Sequence, residues 1–138
     1  MDDAQRARFD DLFESVFDGL PGTVRARFDD VPVVLDDAPD AATLAACQCE
    51  ADDLCGLHTG VPLTERSVDD QPMLPDVIHL FRQGIIAMAG GWTMQVDDEG
   101  HVHGGPGSVR EEIRITLLHE LGHHFGLDED DLERLGYG

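Results

Sequence analysis

His119 and His123 stand four residues apart, and Glu120 follows the first of them directly. On a helix, residues i and i+4 lie one above the other on one face, so both imidazoles can grip a single ion. Glu120 then projects about 100° further round the axis, at roughly 3.6 residues per turn. It can reach a water on that ion without taking a ligand position. Zinc lowers the pKa of bound water to about 7, and a carboxylate beside it can take the proton.

The flanking residues predict the helix that this chemistry needs. Ser108 and Glu111 have the S-x-x-E spacing of a capping box, which places a helix start just before Val109. Ile113, Leu117 and Leu121 recur at i+4, with Leu118 and Phe125 alongside, and give a wide apolar face. Glu112, Thr116, His119 and His123 share a narrow polar stripe. This is the pattern of a buried helix that shows one polar strip to a cleft. His124 falls on the apolar side and reads as a packed or supporting histidine. Gly126 ends the helix. The run Leu127-Asp128-Glu129-Asp130-Asp131 follows, and a chain reversing at Gly126 brings one of its carboxylates back to the metal. The same run also suits the N-terminus of a second short helix, with Asp128 as its cap.

His119-Glu120-Leu121-Gly122-His123 is the H-E-x-x-H pattern of zinc peptidases, and metzincins and Asp-zincins extend it to H-E-x-x-H-x-x-G-x-x-(H or D). Counted on this chain the third-ligand position is Glu129, with Asp128 one residue before it. Glu129 keeps the register and is the preferred ligand. Three longer stretches carry a closer likeness: Asp53 to Ser67, Leu74 to Arg82, and Glu111 to Gly136 with its His123-His124-Phe125-Gly126. Together they resemble the small bacterial zincin-like metallopeptidases, or minimal zincins. That resemblance implies an α+β fold, a small mixed sheet packed on an N-terminal helix and on the H-E-x-x-H helix, with a short C-terminal helix after it. It also implies an aspartate where this chain has Glu129.

The net charge of −20 disfavours nucleic acid and anionic membranes as partners, because phosphate backbones attract basic surfaces. There is no Lys and no Asn, a compositional bias rather than a sign of function. The 138 residues suit one domain, 1–138. No run of 18 apolar residues exists to span a membrane, and the acidic start does not read as a signal peptide, so the cytoplasm is the expected location. Cys47, Cys49, Cys55 and His58 give C-x-C-x5-C-x2-H. They read either as reduced thiols of a cytosolic protein or as a second, structural metal site, although the spacing is not a common zinc pattern.

Elsewhere the pattern predicts an amphipathic helix over 3–19, with Phe9, Leu12, Phe13, Val16 and Phe17 on its inner face. Val31–Leu35 and Val77–Phe81 read as strands, 36–46 as a linker with room for a short Ala-rich helix, and 56–75 as a long loop. Gln83–Ala89 reads as a helix broken at Gly90-Gly91, followed by a hairpin of Trp92–Val96 and His101–His103. Either Trp92–Val96 or 77–81 is the expected edge strand for a peptide. His101, His103 and Tyr137 are minor candidates for oxyanion stabilisation, and the two histidines also for a second metal.

The reading that follows is a zinc-dependent peptidase. His119, His123 and Glu129 hold Zn2+, and Glu120 is the general base acting on a peptide or protein substrate. The competing class is a zincin-like metal-binding protein with little peptidase activity, and a third is a hydrolase of non-peptide bonds. Substrate preference and oligomeric state are left open by the sequence, as is a choice among zinc, iron, manganese and cobalt.

Overall fold

The computed structural model describes residues 1–29, 31–59 and 77–124. Helix α1 (Asp3–Asp18) begins where the Asp2 side chain accepts a hydrogen bond from the Gln5 backbone N–H at 2.8 Å. Its Phe9 and Val16 are buried, and Leu12, Phe13 and Phe17 pack beside them, as the helical spacing predicts. A short helix α2 (Gly22–Arg25) and a 3-10 turn carry Phe28 into the same core.

Strand β1 (Val33–Asp36) follows Val31, which is fully buried. Helix α3 (Ala41–Cys47) is the Ala-rich helix, capped by the Asp40 side chain on the Thr43 N–H. Strand β2 (Gly56–Thr59) stands where the sequence pattern suggests only loop. Gly56, His58 and Thr59 give no apolar alternation, and the strand exists through its pairing with a distant partner. That partner is β3 (Val77–Phe81), which runs parallel to β1 and antiparallel to β2. The order β1-β3-β2 makes a mixed sheet with β3 at its centre. Residues 77–81 are therefore not the edge expected for a peptide, since β3 is hydrogen-bonded on both sides.

Helix α4 (Arg82–Ala89) ends at Gly90 in the left-handed conformation, φ 96°. The hairpin is shorter than its pattern suggests: β4 (Gln95–Val96) pairs with β5 (Val102–His103). Trp92 leaves the strand and packs against the core, with the Arg8 guanidinium 4.6 Å from its ring centre.

Helix α5 (Pro106–His124) carries the two histidines. It starts three residues earlier than the S-x-x-E pattern implies. Pro106 occupies the first helical position, where its fixed φ and missing N–H cost nothing. The Val109 N–H then bonds to the Gly105 carbonyl, so Ser108 lies inside the first turn rather than at its cap. Glu111 pairs instead with Arg114 at 3.2 Å. Val109, Ile113, Leu117, Leu118 and Leu121 form the buried face, as predicted. Through it α5 packs against α1, α4, β2 and β3.

Arg82, at the start of α4, is nearly buried and holds Asp10 of α1 in a two-pronged contact at 2.9 and 3.1 Å. It also reaches Asp37 at 3.1 Å, and Arg6 grips the same Asp37 at 2.8 Å. Hydrogen bonding to Arg6, with Arg82 adding to it, holds the Asp37 carboxyl below its ordinary range. The network fixes the first helix against the end of β1 and the start of α4. This α+β architecture agrees with the fold class read from the sequence. No helix among the described residues is long and apolar enough to cross a membrane. The expected C-terminal helix lies outside the described residues.

Candidate metal centre

His119 and His123 stand one turn apart on α5, and their Nε2 atoms lie 3.0 Å from each other. At this spacing the two nitrogens share either a proton or an ion. Two nitrogens each about 2.0–2.1 Å from one tetrahedral zinc lie roughly 3.3–3.4 Å apart, so the pair needs to part by only about 0.3 Å to hold a single zinc. Glu120 completes the only group of three metal-capable side chains found among the described residues, with one ligand atom of each within 4.8 Å of the others. Both histidines are half-buried and Glu120 is buried. Glu129 and Asp128, the two candidates for a third ligand, lie outside the described residues, as does Tyr137.

The cleft beside this group is a cavity of about 460 Å³. Glu112, Ile115, Thr116, His119 and Glu120 of α5 form one wall, so the polar stripe read from the sequence does face a cleft. Asp53 to Gly56, the approach to β2, lies opposite, and Met88 of α4 closes the remaining side. Gly56 is where sheet and helix come closest. A Cβ there would meet Thr116 Cγ2 at 2.9 Å, Glu120 Cγ at 3.0 Å and the His79 carbonyl oxygen at 3.1 Å. The missing side chain of Gly56 is thus what lets Glu120 lie between strand and helix. The loop-like pattern of 56–75 hid this role, because nothing local marks Gly56 as part of a strand.

Cys55 packs against the core and lines the same cleft. Burial pushes its thiol up to about 11, and the nearby Glu112 and Glu120 charges add to the rise. The proposed cluster of Cys47, Cys49, Cys55 and His58 is not formed. Cys47 and Cys49 are joined in a disulfide, so the reading of three reduced thiols is also corrected. Gln48 between them adopts the left-handed conformation, φ 57°, which turns the chain so that the two Cα atoms lie 5.4 Å apart.

The remaining histidines are placed elsewhere. His124 is buried with its ring 5.5 Å from that of His58, the packed position expected for it. His101 and His103 are exposed and turn towards Asp97, at 3.4 and 3.2 Å. Asp97 also accepts the Glu99 and His101 backbone N–H groups, which lowers its pKa and pins the hairpin turn.

No curated protein matches the chain. A family match runs over residues 28–138, from the 3-10 turn before β1 through β2 and α5, and so takes in His119, Glu120 and His123. By that match the chain belongs to the zincin-like metallopeptidase family.

Proposed function

We propose that this protein is a zinc-dependent peptidase, with residues 1–138 acting as one domain. The observation that carries the reading is the His119–His123 pair, 3.0 Å between Nε2 atoms, beside buried Glu120 at the head of a cleft. His119 and His123 would hold zinc, with Glu129 as third ligand by its register in the sequence. When bound, zinc acidifies water and polarises a carbonyl. Glu120 accepts the proton of the attacking water and passes it to the leaving amine. Burial of Glu120 limits competing water. Strand β2 is the outer strand of the described sheet on the side next to α5, and it suits an extended peptide bound through main-chain hydrogen bonds. It takes that role from 77–81, which is paired on both sides.

The test is metal analysis of the purified protein and of His119→Ala, with hydrolysis of a mixed peptide library by both. About one zinc per chain, lost in His119→Ala together with cleavage, is the expected result. Another metal at that stoichiometry would correct the cofactor, and zinc without cleavage of any peptide would overturn the peptidase reading.

Gly56→Ala supplies a second check. The added methyl must push Thr116 or Glu120 aside, and a shift of the order of 1 Å in a catalytic group can cost about 10²-fold in rate. The expected outcome is a large fall in kcat with zinc content retained. Parent-like kcat would show that Glu120 does not need its place against β2.

A further inference from the structure

The cleft extends along α5 away from His119, and Glu112 stands near its far end. Seven residues separate the two, about 10 Å along the helix axis. Between them the walls are largely apolar: Leu54, Met88 and Ile115. Glu112 is half-buried, and no cation among the described residues lies within ion-pairing distance of it. Several other acidic side chains of the fold are better satisfied. Asp10, Asp37 and Glu111 each meet an arginine, and Asp40 and Asp97 accept backbone N–H groups. Burial, with Glu111 beside it, holds the Glu112 carboxyl above its ordinary range. A carboxylate partly stripped of water and left without a counter-charge is unfavourable. A cationic group entering the cleft would relieve that cost.

We infer that this cleft selects a basic side chain of the substrate, with Glu112 as the specificity-determining residue that receives it. The inference rests on the peptidase reading and names the substrate class for the same site. An arginine or lysine near the cleaved bond lays its apolar stem along Leu54, Met88 and Ile115 and brings its charged head to Glu112. Asp53 stands on the opposite wall of the same cleft. Long basic side chains commonly divide themselves in this way between apolar wall and charged end. The net charge of −20 draws basic peptides towards the protein as a whole, and Glu112 supplies the local choice.

The experiment measures binding to the full-length, zinc-loaded Glu120→Gln protein, in which turnover does not intrude. The probes are blocked decapeptides carrying arginine, citrulline or glutamate at each position in turn. Citrulline keeps the shape of arginine without its charge. At one position arginine is expected to bind about tenfold more tightly than citrulline, with glutamate weakest. Glu112→Gln on the same background should bring arginine to within about twofold of citrulline. Thermal unfolding of that variant checks its fold, and removal of a desolvated carboxylate is expected to leave it at least as stable. Equal binding of arginine and citrulline everywhere, a preference that survives Glu112→Gln, or no binding of any arginine peptide would each overturn the inference. Hydrolysis by the parent protein is scored separately. An arginine preference that depends on Glu112, without hydrolysis, would sink the peptidase reading and leave this one standing.

Discussion

Glu120→Gln is expected to keep about one zinc per chain and to lose peptide hydrolysis by roughly 10²–10⁴-fold, the usual worth of a general base. Glutamine matches glutamate in size and fills the same place against Gly56, but its amide cannot take a proton from water. Only 8% of the residue is exposed, and glutamine keeps the packing of this buried position. Thermal unfolding of the variant, expected to stay close to that of the parent, checks that the fold is kept. A fall in rate then reports chemistry rather than lost structure. Steady-state hydrolysis of a peptide identified from the library, with metal content on the same sample, makes the measurement. Parent-like turnover by Glu120→Gln would show that another group moves the proton.

Gly84→Ala should have the largest effect on folding, with a sign opposite to that of an ordinary helix substitution. In an exposed helix interior, alanine gains about 1 kcal/mol over glycine. Here α4 lies directly on the Leu54–Cys55 backbone. A Cβ at position 84 would land on the Leu54 carbonyl oxygen, 2.6 Å from its carbon and 3.2 Å from the Cys55 nitrogen. Backbone atoms cannot rotate away as a side-chain end can. Overpacking of this kind costs about 1–3 kcal/mol, more than the helix gain restores. Net destabilisation of up to about 2 kcal/mol is expected, read as a lower midpoint in urea unfolding. Leu54 and Cys55 also line the cleft, so hydrolysis should weaken as well. An alanine variant more stable than the parent would mean that α4 can draw back from this segment freely.

Helix α5, which carries the candidate metal centre, was the most legible part of the chain, because its evidence is local. The spacing of His119 and His123, the apolar repeat through Leu117 and Leu121, and the polar stripe through Glu112 and Thr116 all follow from one helical period. Helix α1 and strand β3 were legible for the same reason. What the sequence hid depends on partners far along the chain. Gly56–Thr59 is a strand because Leu57 and His58 meet His79 and Ile78 across the sheet. The start of α5 was misplaced because Pro106 sets it, and the S-x-x-E spacing two residues later imitates a cap. The Cys47–Cys49 link was missed because the expected cytosolic location favours reduced thiols, and the turn at Gln48 that joins the sulfurs is an unusual conformation for a residue other than glycine. Of the candidate site, His119, Glu120 and His123 were visible in the sequence. The opposite wall, from Asp53 to Gly56 with Met88, was not.

The segment from Trp92 to His103 leaves and rejoins the fold at nearly one point. The Gly104 N–H bonds to the Ala89 carbonyl and the Gly105 N–H to the Gly91 carbonyl, both at 3.0 Å. The four glycines 90, 91, 104 and 105 all have positive φ, and Gly90 and Gly104 approach so closely that neither has room for a Cβ. The stem is thus closed independently of what it carries, and beyond Trp92 little of the hairpin reaches the core. Natural variation can lengthen, shorten or exchange the exposed tip around Asp97 without shifting the junction of α4 and α5. The chain has in effect a socket for insertions set just ahead of α5. Relatives that differ there in length can still share one centre.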